Sequence, residues 1–362
     1  MNNYAVIMAG GAGTRFWPKG TSKLPKQFLN VSHEIDTMVQ QTYKRLTEFI
    51  PAQNIFVVTN TNHKNEVRKQ LPHLPEHNII AEPIGRNTAP CIGLASLFIQ
   101  QFDPKANVLV VPSDHLIKDT KEFKRIMTAG LKFVHEHGGI ITLGITPSHP
   151  ETGYGYIQFN PDESIDEPEG TEKIYKVKTF AEKPNLEVAK SFLASGDFLW
   201  NSGMFIFRAD TMMDEMKISL ADVYTSLMKL VPVLRSKDFD KTLEMVYSQI
   251  KSISIDYGIM EKSSSVYTIK SDFGWNDVGS WDEIYNISEK DSEGNVKKGR
   301  TVTINSKNNL IINDQKIAAL IGVEDLLVVD TDNGLLICKR GDSQSVKEVV
   351  EYLRRKNLDQ FL

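Results

Sequence analysis

Apolar and polar positions in the first 150 residues follow two alternating rhythms. Apolar runs of strand length stand at 4–8, 54–59, 107–111 and 139–143, and each reads as a buried strand. Between them, 36–50, 88–102 and 120–137 carry apolar residues at helical spacing. Strand–helix alternation predicts an α/β fold with a mixed, mostly parallel sheet flanked by helices on both faces. Ligands on such sheets bind beyond the carboxyl ends of the strands.

The rhythm loosens from 145 to 285. Strands are predicted at 154–159, 174–180 and 204–207, and helices at 186–194, 210–216 and 239–247. The acidic, proline-containing stretch 162–170 reads as a loop. A polar, charged connector covers 288–300. Beyond it come short strands at 301–305, 309–312, 316–321, 326–330 and 334–339. Asn308-Asn309, Asn313-Asp314 and Asp332-Asn333-Gly334 are turn signals between them. An amphipathic helix is expected at 345–356. The predicted division is a large first domain at 1–287 and a small C-terminal β-rich domain with a closing helix at 288–362.

A chain of 362 residues buries a large core and has room for two domains. Its 42 Lys and Arg nearly balance 46 Asp and Glu, and no basic block argues for nucleic acid as a partner. No apolar run is long enough to span a membrane, and no membrane partner is expected. The first residues form a strand rather than a charged-then-apolar signal peptide. The two cysteines, Cys91 and Cys338, lack metal-site spacing. Cys91 follows Pro90 inside an apolar helical pattern and reads as a buried free thiol. A reducing, cytoplasmic setting is expected.

The chemistry concentrates where strands end. The first strand opens into Ala9-Gly10-Gly11-Ala12-Gly13-Thr14-Arg15, followed by Phe16-Trp17-Pro18 and by Pro25-Lys26-Gln27-Phe28. Glycines let backbone N–H groups close on phosphate oxygens, and Arg15 and Lys26 add positive charge. The loop is not a Walker loop, because Thr14-Arg15 stands where Lys-Ser or Lys-Thr is needed. It is not a dinucleotide fingerprint either, because Phe16 occupies the third small-residue position. A tight turn is the plain alternative; the two cations and the strand context weigh against it. The strand at 107–111 runs into Pro112-Ser113-Asp114-His115, which sets Asp114 at a carboxyl end. A second carboxylate, Asp277, lies among glycines and aromatics in Phe273-Gly274-Trp275-Asn276-Asp277-Val278-Gly279-Ser280-Trp281. Each aspartate alone is a turn or cap candidate. Two brought together suit one Mg²⁺ or another divalent cation.

Gly-Gly-x-Gly-Thr-Arg with Pro25-Lys26-Gln27-Phe28-Leu29 resembles the sugar-phosphate nucleotidyltransferases, and Phe16-Trp17-Pro18 is most similar to the mannose-1-phosphate guanylyltransferases among them. Glu82-Pro83-Ile84-Gly85-Arg86-Asn87-Thr88-Ala89-Pro90 and Asp256-Tyr257-Gly258-Ile259-Met260-Glu261-Lys262 resemble the same subgroup. The resemblance implies a Rossmann-like sheet and a C-terminal domain like a truncated left-handed β-helix, used for homodimer contacts. It implies that GTP and mannose 1-phosphate give GDP-mannose and pyrophosphate, with Asp114 and Asp277 as Mg²⁺ ligands and His115 structural. Another nucleotide or hexose 1-phosphate, or a silent nucleotide-sugar-binding subunit, are the alternatives.

Arg15 is then expected to hold the departing phosphates, and Lys26 the α-phosphoryl group or the incoming sugar phosphate; these two and Asp114 form the expected catalytic set. Ala9, Gly10, Gly11, Gly13, Thr14, Glu82, Gly85, Asn87, Thr88 and Ser113 form the expected nucleotide site. Within it, a carbonyl or carboxylate near Glu82 can accept from guanine N1–H and N2–H₂. An N-cap is the other reading of Asn87 or Thr88. Three further segments resemble the family's sugar side: Gly155 and Tyr156; Glu182 and Lys183; Asn201 and Gly203. A glycine bulge, a surface ion pair and a turn are the structural alternatives. Bifunctional relatives carry a later cupin domain for isomerisation. Residues 1–362 hold no such segment and no His-rich cluster, so no isomerase activity is expected. The role of 256–262 stays open between backing the metal loop and contacting a ligand.

Overall fold

The apolar run at the start of the chain forms strand β1 (Asn3–Ala9), in which Ala5, Val6 and Ile7 are wholly buried. Burial on both faces explains why this strand shows a continuous apolar run instead of alternation. The computed structural model describes residues 2–11, 13–31, 35–166 and 173–362. The chain divides into two units. The first comprises Met1–Gly10, Thr42–Ser113 and Ile117–Asn276; the second comprises Gly11–Gln41, Asp114–Leu116 and Asp277–Leu362.

In the first unit β1 is joined by β2 (Ile55–Asn60), β3 (Ile79–Glu82), β4 (Asn107–Pro112), β5 (Ile140–Ile145), β6 (Gly155–Asp166), β7 (Lys173–Glu182), β8 (Phe198–Arg208) and β9 (Val266–Ser271). Among the described residues these form one nine-stranded sheet in the order β3-β2-β1-β4-β8-β5-β9-β7-β6. The pairs β1/β2, β2/β3, β1/β4 and β5/β9 are parallel; β8 and β7 run against their neighbours, so every other strand points one way. This is the mixed, mostly parallel sheet expected. The helix Thr88–Gln100 is buried almost all round, and its Ala89, Ile92, Leu94 and Ala95 share a core with Met212, Met216 and Leu227. The helix Thr120–His137 falls where its pattern put it, capped by the Asp119 side chain, which accepts from the Glu122 N–H at 2.9 Å.

The second unit carries a four-stranded sheet ordered β10 (Val296–Ile304), β11 (Leu310–Ile321), β12 (Leu326–Thr331), β13 (Gly334–Lys339). The first three are mutually parallel, and the β12/β13 hairpin is antiparallel. One face of this sheet, with Leu310, Ile312, Leu327 and Val329, shares a core with Phe16, Trp17, Trp281 and the helix Val346–Arg355.

Four local expectations change. Residues 162–166 continue β6 instead of forming a loop, and 167–170 lie outside the described residues, as does Ala12 of the glycine loop. Strand β10 begins inside the expected connector at 288–300. The turn signal Asn313-Asp314 falls inside strand β11, where its register against β10 shifts, and the Asn313 amide donates to the carbonyls of Arg300 (3.1 Å) and Lys316. Strand β8 starts at Phe198, well before 204, so Asn201 and Gly203 sit within a strand. Both cysteines are free, Cys91 buried and Cys338 partly so. Among the described residues no helix is long and apolar enough to cross a membrane.

Candidate active site

The glycine loop is shaped by close approach. Gly13 has φ +59°, and a Cβ there would stand 2.4 Å from the Lys26 amide nitrogen, so no side chain fits. Gly13 starts a tight turn at Thr14–Phe16, whose Phe16 N–H donates to the Gly13 carbonyl at 3.1 Å. A second turn, Lys26–Phe28, carries buried Gln27, which donates from Nε2 to the Gly11 carbonyl at 3.1 Å. The loop is backed by residues far along the chain. The Phe16 ring meets Trp281 edge-on at 5.1 Å; Trp281 Nε1 donates to the Trp17 carbonyl at 3.1 Å; Trp17 Nε1 donates to the Phe361 carbonyl at 2.8 Å. No local pattern announces Trp17, Trp281 or Phe361 as a brace.

Gly13, Thr14, Arg15, Lys26, Asp114 and Asp277 line one cavity of about 340 Å³ within the second unit, with His115 and Gly279 beside them. Lys26 is only 7% exposed. Its Nζ donates to Asp114 Oδ2 at 3.0 Å and also to the Asp277 main-chain carbonyl. Burial pushes the Asp114 carboxyl up, but Lys26 and His115 outweigh it and hold it below the usual carboxylate range. Arg15 is exposed at the cavity and has no ion-pair partner among the described residues. Two cations and two carboxylates in one cavity suit polyphosphate together with a hard cation.

The donor set fits a divalent cation. Both carboxylates offer hard oxygens, and a Cβ at Gly279 would stand 3.2 Å from Asp277 Oδ2, so the bare glycine leaves room beside that oxygen. Two protein carboxylates suit an ion that keeps waters and takes phosphate oxygens as its other ligands. Asp114 and Asp277 are the residues that would hold it. Among the described residues no cluster of three or more His, Cys, Asp or Glu forms a self-sufficient metal cage.

The other expected nucleotide residues lie in the first unit. Ala9 ends β1 fully buried, its carbonyl accepting from Thr59 Oγ1 at 3.0 Å. The Ser113 N–H donates to the Met8 carbonyl at 3.0 Å. Glu82 ends β3 only 5% exposed; its Oε1 accepts from Tyr247 Oη at 2.9 Å and its Oε2 faces Gly10. The segment after it is tied to residues 247–255. Arg86 Nε donates to the Tyr247 carbonyl at 2.8 Å, and Thr88 Oγ1 accepts from the Ile255 N–H at 2.8 Å. Asn87 has φ +67° and its Oδ1 accepts from the Thr88 N–H at 2.9 Å. The cap reading of Asn87 therefore describes its side chain, and the space a Cβ would take at Gly85 is open.

Burial pushes the Glu82 carboxyl up to about 7, against the opposing hydrogen bond from Tyr247. The sign follows: a raised carboxyl binds its proton more tightly in the folded state, so its contribution is largest below the unfolded value and is lost as pH rises through about 7. In Glu82→Gln, chemical denaturation from pH 5 to 8 should show a flatter pH dependence than wild type, the difference being on the order of 3 kcal/mol at most. Parallel curves would show that Glu82 titrates normally.

Among the residues expected on the sugar side, the Glu182 carboxylate pairs with Lys183, and Gly155 lies against it. Asn201 donates to Asp256 Oδ1 at 2.7 Å, and its Oδ1 accepts from the Gly203 N–H at 3.1 Å. Tyr156 is fully buried and its hydroxyl donates to the Glu151 carbonyl at 2.8 Å, so its side chain fills the core. Sequence reasoning missed Tyr247 as the partner of Glu82, since 165 positions separate them.

A glycine loop with two cations and two carboxylates in one cavity, in a chain built on a mixed α/β sheet, suits a nucleotidyltransferase. Residues 4–294 match the nucleotidyl transferase family, and residues 299–353 match the MannoseP isomerase/GMP-like beta-helix domain. The Escherichia coli mannose-1-phosphate guanylyltransferase is 37% identical over 356 residues, spanning 96% of this chain and 75% of that protein. The alginate biosynthesis protein AlgA of Pseudomonas aeruginosa is 38% identical over 351 residues, spanning 96% and 71%. A crystal structure described as a mannose-1-phosphate geranyltransferase from Thermus thermophilus superposes with a TM-score of 0.87 at 30% identity, covering 98% of this chain and all of the other. The chain belongs to the mannose-1-phosphate guanylyltransferase family.

Proposed function

We propose that the protein makes GDP-mannose and pyrophosphate from GTP and mannose 1-phosphate. One observation carries the chemistry: Arg15, Lys26, Asp114 and Asp277 line one cavity beside the glycine loop. The substrates are those in the names of its relatives. A sugar phosphate oxygen attacks the α-phosphorus of GTP in line; a new P–O bond forms as the bond to the bridging oxygen breaks, and pyrophosphate leaves. Arg15, exposed and without a carboxylate partner among the described residues, holds the departing phosphates together with the main-chain N–H groups of Gly11, Gly13 and Thr14. Lys26, fixed by Asp114, neutralises the α-phosphoryl group or the incoming sugar phosphate. Asp114 and Asp277 hold Mg²⁺ or another divalent cation, which when bound neutralises phosphate oxygens. Glu82 accepts from guanine, helped by main chain near Gly85, with Ser113 and Ala9 shaping the nucleotide side; Gly155, Glu182, Lys183, Asn201 and Gly203 take the sugar phosphate.

The same proposal places the catalytic domain at 1–287 and the β-rich domain at 288–362. Two free thiols support a cytoplasmic setting. A homodimer through the β-rich sheet is supported by one apolar patch: Ile317 and Ile321 are each 67% exposed, and Ile304 pairs in register with Ile321. Light scattering should give a dimer for the wild type and a monomer for Ile317→Glu/Ile321→Glu. A wild-type monomer removes that part.

The activity is tested by pyrophosphate release across a grid of nucleoside triphosphates and hexose 1-phosphates with Mg²⁺. Release confined to GTP with mannose 1-phosphate is the expected result. Another active pair would keep the mechanism and overturn the assignment of base or sugar. No release from folded protein would favour a silent nucleotide-sugar-binding subunit.

A further inference from the structure

The segment Asp256-Tyr257-Gly258-Ile259-Met260-Glu261-Lys262 is not used by the mechanism above, yet it supplies a carboxylate to the sugar side. We propose that Asp256 is a positioning residue that fixes the side-chain amide of Asn201 for recognition of a sugar hydroxyl. This rests on reading that part of the first unit as the sugar 1-phosphate subsite.

The orientation of Asn201 is settled by donors that cannot reverse. The Gly203 main-chain N–H donates to Asn201 Oδ1 at 3.1 Å, and Thr142 Oγ1 lies at 3.1 Å from the same atom. A main-chain N–H has no acceptor role, so that corner of the amide is the oxygen and the other is the NH₂ group. The NH₂ donates to Asp256 Oδ1 at 2.7 Å. An amide nitrogen carries two hydrogens, and the second meets no acceptor among the described residues. Asn201 is half-buried, so that hydrogen stays open to a ligand.

The neighbours suit a hydroxyl-rich ligand. A Cβ at Gly155 would stand 2.5 Å from Glu182 Oε2 and 3.5 Å from Asn201 Cβ, so the bare glycine keeps acceptor and amide side by side. Asp256 itself opens a single π-helical turn, Asp256–Met260, a geometry that recurs at functional sites. The turn is pinned just before it: the Ile255 N–H donates to Thr88 Oγ1 at 2.8 Å, and the Ala89 N–H donates to the Ile253 carbonyl at 3.2 Å. Burial, and then Glu182, raise the Asp256 carboxyl above its ordinary value, while Asn201 and Lys183 oppose the rise. A carboxylate placed beside another carboxylate is costly, and the Asn201 bond opposes part of that cost.

The proposal is tested with KM for mannose 1-phosphate and for GTP in wild type, Asp256→Ala, Asp256→Asn and Asn201→Ala. Asp256→Ala should raise KM for mannose 1-phosphate about tenfold, the size of one hydrogen bond to a charged group, and leave KM for GTP within about twofold. Asp256→Asn keeps a carbonyl acceptor and should stay within about threefold of wild type. Asn201→Ala should match Asp256→Ala, and the double variant should be no worse than either, because both remove one unit. Three outcomes overturn the idea: an unchanged KM in Asp256→Ala, an equal rise in both KM values, or Asp256→Asn as damaged as Asp256→Ala. If Asp256→Ala does not fold, Asn201→Ala and Asp256→Asn carry the same comparison. A wild type that prefers another hexose 1-phosphate overturns the substrate assignment alone, and the variants are then compared on that hexose.

Discussion

Asp114→Asn should lose turnover by about 10³-fold or more while the protein stays folded. The substitution keeps shape and removes one charge. Asp114 lines the cavity with Asp277, Arg15 and Lys26, and its side chain is 31% exposed, so a neutral amide there leaves no buried charge behind except the Lys26 ammonium. Lys26 keeps its second contact, the Asp277 carbonyl. A divalent cation, however, loses one of only two carboxylates offered by the cavity, and an amide oxygen is a weak substitute at a site that must hold the ion against water. Pyrophosphate release should therefore collapse and recover only partly with excess Mg²⁺. Asp277→Asn should behave alike. The pH response supplies a control. Asp114 has a depressed carboxyl, so its stabilising contribution is present above the unfolded carboxylate range and is lost as pH falls through the folded value. The variant should lack that acid-side loss. Full turnover in folded Asp114→Asn would show that the carboxylates serve some purpose other than the cation.

Much of this site was legible because its chemistry demands unusual residues in fixed places. Gly13 must be glycine, since only a bare Cα can lie against the Lys26 amide. Strand β1 must be apolar throughout, since it is covered on both faces, and that continuity marks where a loop at its carboxyl end will fall. What escaped the sequence depends on distant partners. Gly203, with φ +69°, reads as punctuation; it falls where the pairing of β8 with β5 shifts register, and the strand continues beyond it. Asn313 reads as a turn residue because its amide mimics turn hydrogen bonds; here it makes them inside a continuous strand. The Glu82–Tyr247 contact and the Trp17–Trp281–Phe361 brace have no local signature at all. They exist only once the chain has folded, and their residues look like ordinary core. Asn87 and Tyr156 stand in segments that resemble ligand-binding ones, and their side chains bond within the protein: Asn87 Oδ1 accepts from the Thr88 N–H, and the Tyr156 hydroxyl donates to the Glu151 carbonyl.

Lys26→Met should cost about 10²- to 10³-fold in turnover and should also perturb the carboxylate beside it. The ammonium is nearly buried, bonded to Asp114 Oδ2 at 3.0 Å and to the Asp277 carbonyl, and stands 5.7 Å from the Phe16 ring centroid. One cation thus ties together the loop carrying Asp114, the loop carrying Asp277 and the aromatic behind the glycine turn. Methionine keeps the length and apolar stem, so packing against Phe16 survives. The charge does not. Burial of Asp114, no longer outweighed by Lys26, should raise its carboxyl, so the activity that remains should need a higher pH than wild type. That shift separates two explanations. If Lys26 acts only on substrate phosphates, the rate falls at every pH by the same factor. If it also sets the ionisation of Asp114, the acid limb of the pH–rate profile moves upward. Lys26→Arg should not restore the rate, because a planar guanidinium cannot reach a carboxylate and a main-chain carbonyl as one compact point charge does. A wild-type rate in Lys26→Met would remove Lys26 from the catalytic set and leave Arg15 with the main-chain N–H groups as the whole of the phosphate grip; a wild-type rate in Lys26→Arg would show that positive charge alone suffices there.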